Sequence, residues 1–270
     1  RISEFHEVMR VNIFTRSPDW YIVGIFIACV LTLSLLGFET MARLAKLLAY
    51  VLLASFVLLL ILGFGNYDLS NLFPILGRGL DKTIYHGIIR SSAYGEIILF
   101  AIFAKSFQGT KHIKKEGLIS LLVSALFISI SLLATSLTFP YYVSSELTSP
   151  VYEMTTLIGY GRFLQRVEPV FLFIWIITSL ISASATFYAF AWVFCRLFKM
   201  DDKNPVVIAG CTILYAASIM HEDIMSVILD EVGFLREYSS IPMFIIPLIA
   251  LITAWIRGKG TKSKGERLNA

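Results

Sequence analysis

The chain has 270 residues, of which 57% are hydrophobic and only 16% are charged, and its formal net charge is +4. Since a soluble domain carries roughly 25% charged residues, this composition excludes an ordinary soluble globular protein. It predicts an all-α, multi-pass membrane protein in which residues 1–270 form a single transmembrane domain.

The chain opens with an amphipathic stretch, and seven predicted spans follow it. Residues 1–14, RISEFHEVMRVNIF, are typical of the end of an earlier helix and indicate an N-terminal truncation. A helix that crosses a bilayer needs about 20 apolar residues. By that measure, spans are predicted at about Pro18–Gly37, Leu47–Gly63, Leu80–Phe107, Gly117–Phe139, Glu168–Phe198, Pro205–Met220 and Ile241–Trp255. Two connections, Pro140–Arg166 and His221–Tyr238, are long enough to act as a lid or a partner surface.

The basic residues of the loops predict the orientation, because Lys and Arg concentrate on the cytoplasmic side. We place the basic tail, residues 258–270, in the cytoplasm and let the seven spans alternate. Most loop Lys and Arg then fall inside, and most Asp and Glu fall outside. This arrangement requires the third span to cross the membrane, and it puts residues 1–14 on the outer side.

The third predicted span differs from the others because it carries charges in its middle, Arg90 and Glu96. Charged groups and interrupted backbone are tolerated at membrane depth where the chain lines a cavity or is buried in protein. We therefore predict a broken helix that forms half of a small-solute site. The candidate binding residues are Ser91, Ser92, Tyr94, Gly95 and Glu96. In the alternative, the helix is unbroken, Arg90 reaches the interface and Glu96 bonds to a neighbouring helix.

The ends of half-helices explain why this site would suit an amino acid. The positive end of a half-helix attracts a carboxylate, and freed carbonyl groups attract an ammonium group or a cation. An amino acid carries both charges.

The fifth predicted span offers a second set of hydroxyl groups. Ser184 and Tyr188 are four residues apart, so they share a helix face and are candidates for lining the same cavity. Alternatively, the small and polar residues of this span serve close helix packing.

Charged pairs are predicted near the membrane surfaces. Glu39 and Arg43, in the link GFETMARLAK before the second span, are spaced i,i+4 and can pair on one face. Together with Arg90 they are candidates for a gate or an ion pair, or for a plain interface anchor. Arg166 and Glu168 are expected to form a local ion pair or a helix cap at the start of the fifth span.

The sequence offers little for covalent or metal chemistry. The three cysteines lie in apolar runs without CxxC spacing, and the four histidines are scattered. We therefore expect no disulfide framework, no metal site and no cofactor. Nothing resembles a phosphate-binding loop, a dinucleotide-binding turn, a nucleophile triad or a basic nucleic-acid patch, so we expect neither an enzyme nor a nucleic-acid-binding protein.

Several segments together carry a family resemblance. SPDWYI opens the first span and GFETMARLAKLL the second; LFPILGRGL precedes the third span with its AYGE; GRFLQRVEPVFLFIWI leads into the fifth. In this order and spacing they resemble the spore germination permease family, the B subunits of nutrient germinant receptors. That family belongs to the amino-acid/polyamine/organocation transporter superfamily.

The resemblance implies a ten-helix inverted-repeat fold, with the first and sixth helices broken around the site. The seven predicted spans would then be helices four to ten, residues 1–14 the end of helix three, and the third span the broken sixth helix. The first helix, which carries the other half of the site, would lie upstream of this chain. By position, the site would use the Tyr94-Gly95-Glu96 break and the Ser184/Tyr188 face.

The resemblance also implies a role in nutrient sensing. Family members act in the inner membrane of the dormant spore, with an A-type membrane subunit and a C-type lipoprotein. Our hypothesis is that an amino-acid-type germinant binds at the broken helix and shifts the third and fifth spans between two packings. The competing hypotheses are a secondary amino-acid permease, with proton coupling through Glu96, and a purely structural membrane scaffold.

Overall fold

The computed structural model describes residues 2–14, 16–75, 79–104, 110–147, 149–159, 166–220 and 238–256. Within those ranges the regular structure is entirely helical, which confirms the all-α prediction. The α-helices are α1 Ile2–Asn12, α2 Asp19–Leu36, α3 Phe38–Leu62, α4 Leu80–Ile89, α5 Ile98–Ile102, α6 Thr110–Thr138, α7 Tyr141–Ser144, α8 Pro150–Thr156, α9 Glu168–Leu197, α10 Asn204–Ile219 and α11 Ser240–Ile256. Shorter 3₁₀ helices lie at Gly63–Asn66, Leu69–Leu72 and Arg90–Ile97.

Four of the described helices are long and apolar enough to cross a bilayer, which confirms a multi-pass membrane protein. They are α2, α3 with the 3₁₀ turn after it, α6 and α9. The apolar helices α10 and α11 have 16 and 17 residues. Each therefore rises only about 25 Å, slightly less than the hydrocarbon core of about 30 Å.

The surface of α6 fits a lipid environment. Leu118, Leu122 and Leu126 are 60%, 61% and 58% exposed. Exposure of this much apolar area to water would be costly, whereas lipid chains solvate it without that cost. The helix therefore has the surface of a lipid-facing span.

Two helices begin earlier than hydropathy predicts. α3 begins at Phe38, so the predicted link GFETMARLAK supplies its first turns. α6 begins at Thr110, so most of the stretch QGTKHIKKEG, predicted as a loop, is helical. Lys, Glu, Leu and Ala are good helix formers, and charged turns extend a helix beyond the apolar layer that hydropathy detects.

Gly37 alone connects α2 to α3. Its φ is +90°, a conformation that glycine adopts readily and other residues rarely do. Its N–H donates to the carbonyl of Leu33 and so closes α2. The first two predicted spans therefore meet at a single residue.

The first compact unit comprises residues 1–77 and 99–224. In it, α2 packs against α1, α9 and α10, and α3 packs against α9. The main core cluster includes Val23, Phe26, Val30, Leu172 and Val207. α9 contacts most of the long helices of this unit, so residues on its different faces pack against several neighbouring helices.

The amphipathic start of the chain is helical, as predicted. Phe5 and Met9 of α1 are buried in the main core cluster. His6 Nε2 lies 3.1 Å from Asp19 Oδ1, outside hydrogen-bond geometry, and Arg10 Nη1 lies 3.4 Å from Asp19 Oδ2. α1 is therefore joined to the start of α2 by packing and by charge.

The segment after α3 is fixed by two side-chain amides. Asn66 Nδ2 donates to the carbonyl of Leu157 at 3.0 Å, and Asn71 Nδ2 donates to the carbonyl of Leu137 at 3.0 Å. These bonds tie the end of α3 to the residue after α8 and to the last turn of α6.

The second compact unit comprises residues 78–98 and 225–270. Its described elements are α4, the 3₁₀ helix Arg90–Ile97 and α11, and this 3₁₀ helix packs against α11. Most of the predicted connection 221–238 and the whole basic tail 258–270 lie outside the described residues. The cytoplasmic position of the tail stays a prediction.

Candidate functional site

The third predicted span is interrupted where its sequence predicts a break. α4 ends at Ile89, a 3₁₀ helix occupies Arg90–Ile97, and α5 begins at Ile98. Runs of 3₁₀ helix longer than three or four residues are uncommon, and in mid-helix they often mark a hinge. This run has 8 residues. The alternative of an unbroken α-helix is therefore wrong.

The length of this region suits a membrane crossing. α4 rises about 15 Å at 1.5 Å per residue, and the 3₁₀ helix adds about 16 Å at 2.0 Å per residue. Their combined rise is close to the thickness of the hydrocarbon core, about 30 Å.

Ser91 gives the clearest indication of a binding site. Its Oγ is buried and has no hydrogen-bond partner among the described residues. A buried hydroxyl without a partner costs about 1–3 kcal/mol, and most buried polar groups in proteins have one. The Ser91 hydroxyl is thus in need of a hydrogen bond from a solute or from water.

The other predicted residues of the interruption differ in exposure. Tyr94 and Gly95 are half-buried, whereas Arg90 and Glu96 are exposed. A Cβ built on Gly95 meets nothing within 4 Å, so there is open space beside the backbone. The side chain of Ser92 lies outside the described part of the structure. The interruption therefore combines a hydroxyl, accessible backbone and a carboxylate.

An apolar pocket of about 470 Å³ adjoins the interruption. It is lined by Tyr85, Ile88, Ile89, Tyr238, Ile241, Phe244 and Ile245. The lining thus ends at the residue before Arg90. Small-molecule sites usually measure about 300–1,000 Å³ and are mostly apolar with a few polar groups. The pocket is an open groove with mostly exposed lining side chains, and it is large enough for the apolar part of a small solute.

Ser184 and Tyr188 lie on α9, in the first compact unit. Ser184 is fully buried, and its Oγ donates to the carbonyl of Leu180 at 2.7 Å. Tyr188 is 6% exposed, and its hydroxyl accepts a hydrogen bond from Lys203 Nζ at 2.6 Å. Both hydroxyls therefore have a hydrogen-bond partner in this structure, whereas the Ser91 hydroxyl has none among the described residues.

Lys203 also lies close to Tyr188, although no sequence pattern marks it. It directly precedes α10, and its ammonium group lies 4.7 Å from the centroid of the Tyr188 ring. In the sequence it belongs to MDDKNP, which is typical of any solvated connection. Its partner is 15 residues away, and only the folded turn between α9 and α10 brings the two together.

Tyr188 belongs to an aromatic cluster formed by Phe38, Phe103, Tyr188 and Trp192. Phe38 and Phe103 stack with ring centroids 3.8 Å apart, and the Tyr188 ring lies 6.5 Å and 6.0 Å from them. The Trp192 ring lies 6.2 Å from Phe103, and Arg196 lies over Trp192 at 5.0 Å. Because Phe103 directly follows α5, the downstream end of the interrupted span contacts α9 here.

The two ion pairs expected from local spacing are present. Arg43 Nη2 lies 2.6 Å from Glu39 Oε1, with both side chains about 80% exposed. Arg166 Nε lies 2.9 Å from Glu168 Oε1. Exposed pairs contribute roughly 0–1 kcal/mol. The geometry of Glu39 and Arg43 fits an interface anchor, and their role as a gate stays a prediction.

Comparison with known sequences places the chain in a family. Residues 1–227 match the family model described as spore germination protein. The chain belongs to this family. The match confirms the resemblance carried by SPDWYI, GFETMARLAKLL and GRFLQRVEP, and it covers α1 to α10 together with the interrupted span.

Curated spore germination proteins are similar over most of this chain. Identity to spore germination protein KB of Bacillus subtilis (strain 168) is 28% over 240 residues, 85% of this chain and 64% of that protein. Identity to spore germination protein A2 of the same strain is 27% over 260 residues, 90% of this chain and 66% of that protein. Identity to spore germination protein XB of Bacillus anthracis is 23% over 225 residues, 82% of this chain and 61% of that protein. The chain therefore spans just under two thirds of the length of these relatives. No solved structure matches it.

The described residues of the interruption offer groups for binding rather than for metal chemistry. Among the described residues, no three His, Cys, Asp or Glu side chains lie close enough together to hold a metal ion. The interruption offers hydrogen bonds, a negative charge and an apolar pocket. That combination suits recognition of a small polar solute.

Proposed function

We propose that this spore germination protein senses a small, amino-acid-type germinant at the interrupted helix Arg90–Ile97. The observation that carries the proposal is the Ser91 Oγ, which is buried and unpartnered among the described residues, within an 8-residue 3₁₀ run. Discontinuous helices at membrane depth form the solute sites of many secondary transporters. A buried hydroxyl that lacks a partner within the protein gains one when the solute binds.

The proposed binding mode assigns each part of an amino acid to one feature. The ammonium group of the solute pairs with the Glu96 carboxylate, the carboxylate of the solute accepts a hydrogen bond from the Ser91 hydroxyl, and the side chain of the solute enters the apolar pocket beside Ile89. Ser92, Tyr94 and Gly95 complete this half of the site, and the Ser184/Tyr188 face of α9 contributes to the response.

The proposed output is a change of packing rather than a chemical reaction. Binding shifts the interrupted helix and α9 between two arrangements, by as much as the affinities of the germinant for the two arrangements differ. An A-type membrane subunit and a C-type lipoprotein read that shift in the inner membrane of the spore, and the C-terminus of this chain faces the cytoplasm. The family resemblance supports these partners and this location.

A secondary amino-acid permease is the second candidate, because Glu96 is an exposed carboxylate within the helix break. Labelled amino acid would be offered to liposomes that contain the whole protein, and both bound and internal label would be counted. Saturable binding without internal accumulation supports the sensor. Accumulation that a proton gradient drives supports the permease instead.

The variant Glu96→Gln separates charge from shape in the proposed site. We expect it to raise the nutrient concentration for half-maximal germination about tenfold or more, because charge-assisted bonds are stronger than neutral ones. Glu146→Gln, which changes an exposed carboxylate after α7, serves as the matched control. A nutrient response that Glu96→Gln leaves intact would refute the role of Glu96.

A further inference from the structure

We propose that Lys203 is a latch, which holds Tyr188 and the aromatic cluster in the resting packing and is released during the germinant response. The proposal rests on the germinant-sensing function proposed above. It adds a residue and a contact that this function does not require.

Lys203 contacts Tyr188 at two places, the hydroxyl group and the ring. Lys203 Nζ donates a hydrogen bond of 2.6 Å to the Tyr188 hydroxyl, and it also lies 4.7 Å from the centroid of the ring. Tyr188 is 6% exposed and Lys203 is half-buried. Charge-assisted hydrogen bonds and cation–π contacts are both stronger where water is excluded. The ammonium group therefore fixes the position of the Tyr188 side chain.

The position of Lys203 in the chain makes its engagement conditional. It directly precedes α10, and the positive end of a helix dipole disfavours a cation there. The carboxylate of Asp202 caps this end by accepting a hydrogen bond from the Asn204 N–H at 3.0 Å. The Tyr188 hydroxyl gives the Lys203 ammonium group a hydrogen-bond partner away from this helix end. Loss of that contact removes the stabilisation and leaves a cation at the helix N-terminus.

The aromatic cluster supplies a physical path from the interrupted helix to this contact. Leu99 and Ile102 of α5 pack against the cluster, and Phe103 is one of its rings. α5 is covalently continuous with the 3₁₀ helix Arg90–Ile97. Phe103 is therefore joined along the chain to that helix, and its stack with Phe38, with ring centroids 3.8 Å apart, has little room for movement without rearrangement.

The cluster also reaches the junction of α2 and α3. A Cβ built on Gly37 would lie 4.0 Å from the Tyr188 hydroxyl, and Phe38 stacks on Phe103. Four elements thus converge on Tyr188: the α2–α3 junction, the end of the interrupted span, α9 itself and the start of α10. A single contact at this place can stabilise one packing of all four.

The test compares variants of the whole receptor subunit in spores. Lys203→Met removes the cation and keeps the length of the side chain, Lys203→Arg keeps the cation and the donors, and Tyr188→Phe removes only the hydroxyl. Lys199→Met changes an exposed lysine of the same connection and is the matched control. The readouts are the nutrient concentration for half-maximal germination and the amount of subunit in the membrane.

The proposed latch predicts both the direction and the size of the change in the half-maximal nutrient concentration. Lys203→Met should lower the half-maximal nutrient concentration about tenfold, because loss of a charge-assisted bond shifts the population away from the resting packing. Tyr188→Phe should shift it the same way by less, and Lys203→Arg and Lys199→Met should match the wild type. The double variant Lys203→Met/Tyr188→Phe should show no larger shift than Lys203→Met alone, since the two residues share one contact.

Several results would overturn the latch. One is a half-maximal nutrient concentration that is unchanged or raised in Lys203→Met. If Lys203→Met does not reach the membrane, the same result in Tyr188→Phe would overturn the latch. A tyrosine that only contacted the germinant would give the raised value, so the sign separates the two roles. Ser91→Ala in the same assay separates the latch from the proposed function. If Ser91→Ala weakens the response and Lys203→Met leaves it unchanged, only the latch fails; if neither changes it, the sensing function fails.

Discussion

Ser218 and Ser91 differ in whether the serine hydroxyl has a hydrogen-bond partner within its own helix. The Ser218 Oγ donates to the carbonyl of Leu214 at 2.7 Å, one turn back in α10, and so needs no other partner. Ser91 lies where the α-helix has ended and lacks such a bond. Ser34 of α2 is also buried without a partner among the described residues, but α2 is a continuous α-helix at that position. The combination of an orphan hydroxyl and a helix break is what singles out Ser91.

Gly95 allows a test of ligand contact that does not disturb the fold. Gly95→Ala should be produced at wild-type levels, because its Cβ meets nothing within 4 Å. It should still raise the half-maximal nutrient concentration severalfold, because the methyl group occupies space that the solute uses. Both quantities are measured in spores.

Gly87→Ala is the control for Gly95→Ala. Gly87 lies on α4, and its Cβ would likewise meet nothing within 4 Å. We expect a wild-type nutrient response from this variant. Equal responses from the two alanine variants would remove Gly95 from the site.

Asp68 gives a prediction about pH. The Ser70 N–H donates to its carboxylate at 2.8 Å and holds the pKa of Asp68 below its usual range. Because the pKa of Asp68 is lower in the folded state, its ionised carboxylate stabilises the fold at a pH above the unfolded-state pKa of about 4. This stabilisation is lost as the pH falls through the folded-state pKa. Thermal unfolding in detergent should show Asp68→Ala less stable than the wild type at pH 7. The difference in stability between the two proteins should become smaller as the pH is lowered below about 4. A gap that is independent of pH would contradict this assignment.

The approach of α9 to α10 is set by Gly210. A Cβ there would lie 2.9 Å from Cζ of Phe187, which is 9% exposed and therefore has little room to move. Gly210→Ala should lower the free energy of unfolding by about 1–3 kcal/mol through overpacking. Gly24→Ala is the control, because its Cβ would meet Tyr215 at an ordinary 3.6 Å. Equal stabilities of the two variants in thermal unfolding would mean that α9 and α10 separate more easily than their packing indicates.

The elements that the sequence predicted well are those with a local cause. The break at Arg90–Ile97 follows from two charges and a run of poor helix formers within an apolar span, and the Glu39–Arg43 pair follows from i,i+4 spacing. The start of α6 at Thr110 was missed because hydropathy locates the apolar layer and not the end of the helix. The Lys203–Tyr188 contact could not be predicted, since it depends on the turn between two helices, and no pattern in MDDKNP distinguishes it from a solvated loop.

At the scale of the whole molecule, the orientation in the membrane gives a further prediction. In a background without the native cysteines, Ser145→Cys and Asp201→Cys place single thiols at exposed positions. The charge distribution predicts that the thiol at position 145 reacts with an impermeant maleimide from outside, and the thiol at position 201 from the cytoplasm. Labelling of intact cells and of inverted vesicles measures the difference. Reaction of both thiols from the same side would refute the alternation of spans.

The four long apolar helices α2, α3, α6 and α9 were accessible from the sequence because each contains an apolar segment that length and hydropathy detect. How the helices pack was not accessible, since that depends on side-chain shape at contacts such as Phe187 against Gly210. The same holds for the site: residues 91–96 were predicted from their chemistry, whereas the burial of the Ser91 hydroxyl and the pocket beside Ile89 required coordinates.

The most direct test of the account is equilibrium binding of labelled amino acids to the purified whole protein, with Ser91→Ala compared against Ser218→Ala. If the interrupted helix is the germinant site, the wild type and Ser218→Ala bind alike, and Ser91→Ala binds about fivefold to tenfold more weakly, as expected for loss of one hydrogen bond. Binding that is equal in all three proteins would contradict the central claim that the germinant contacts the break in this helix.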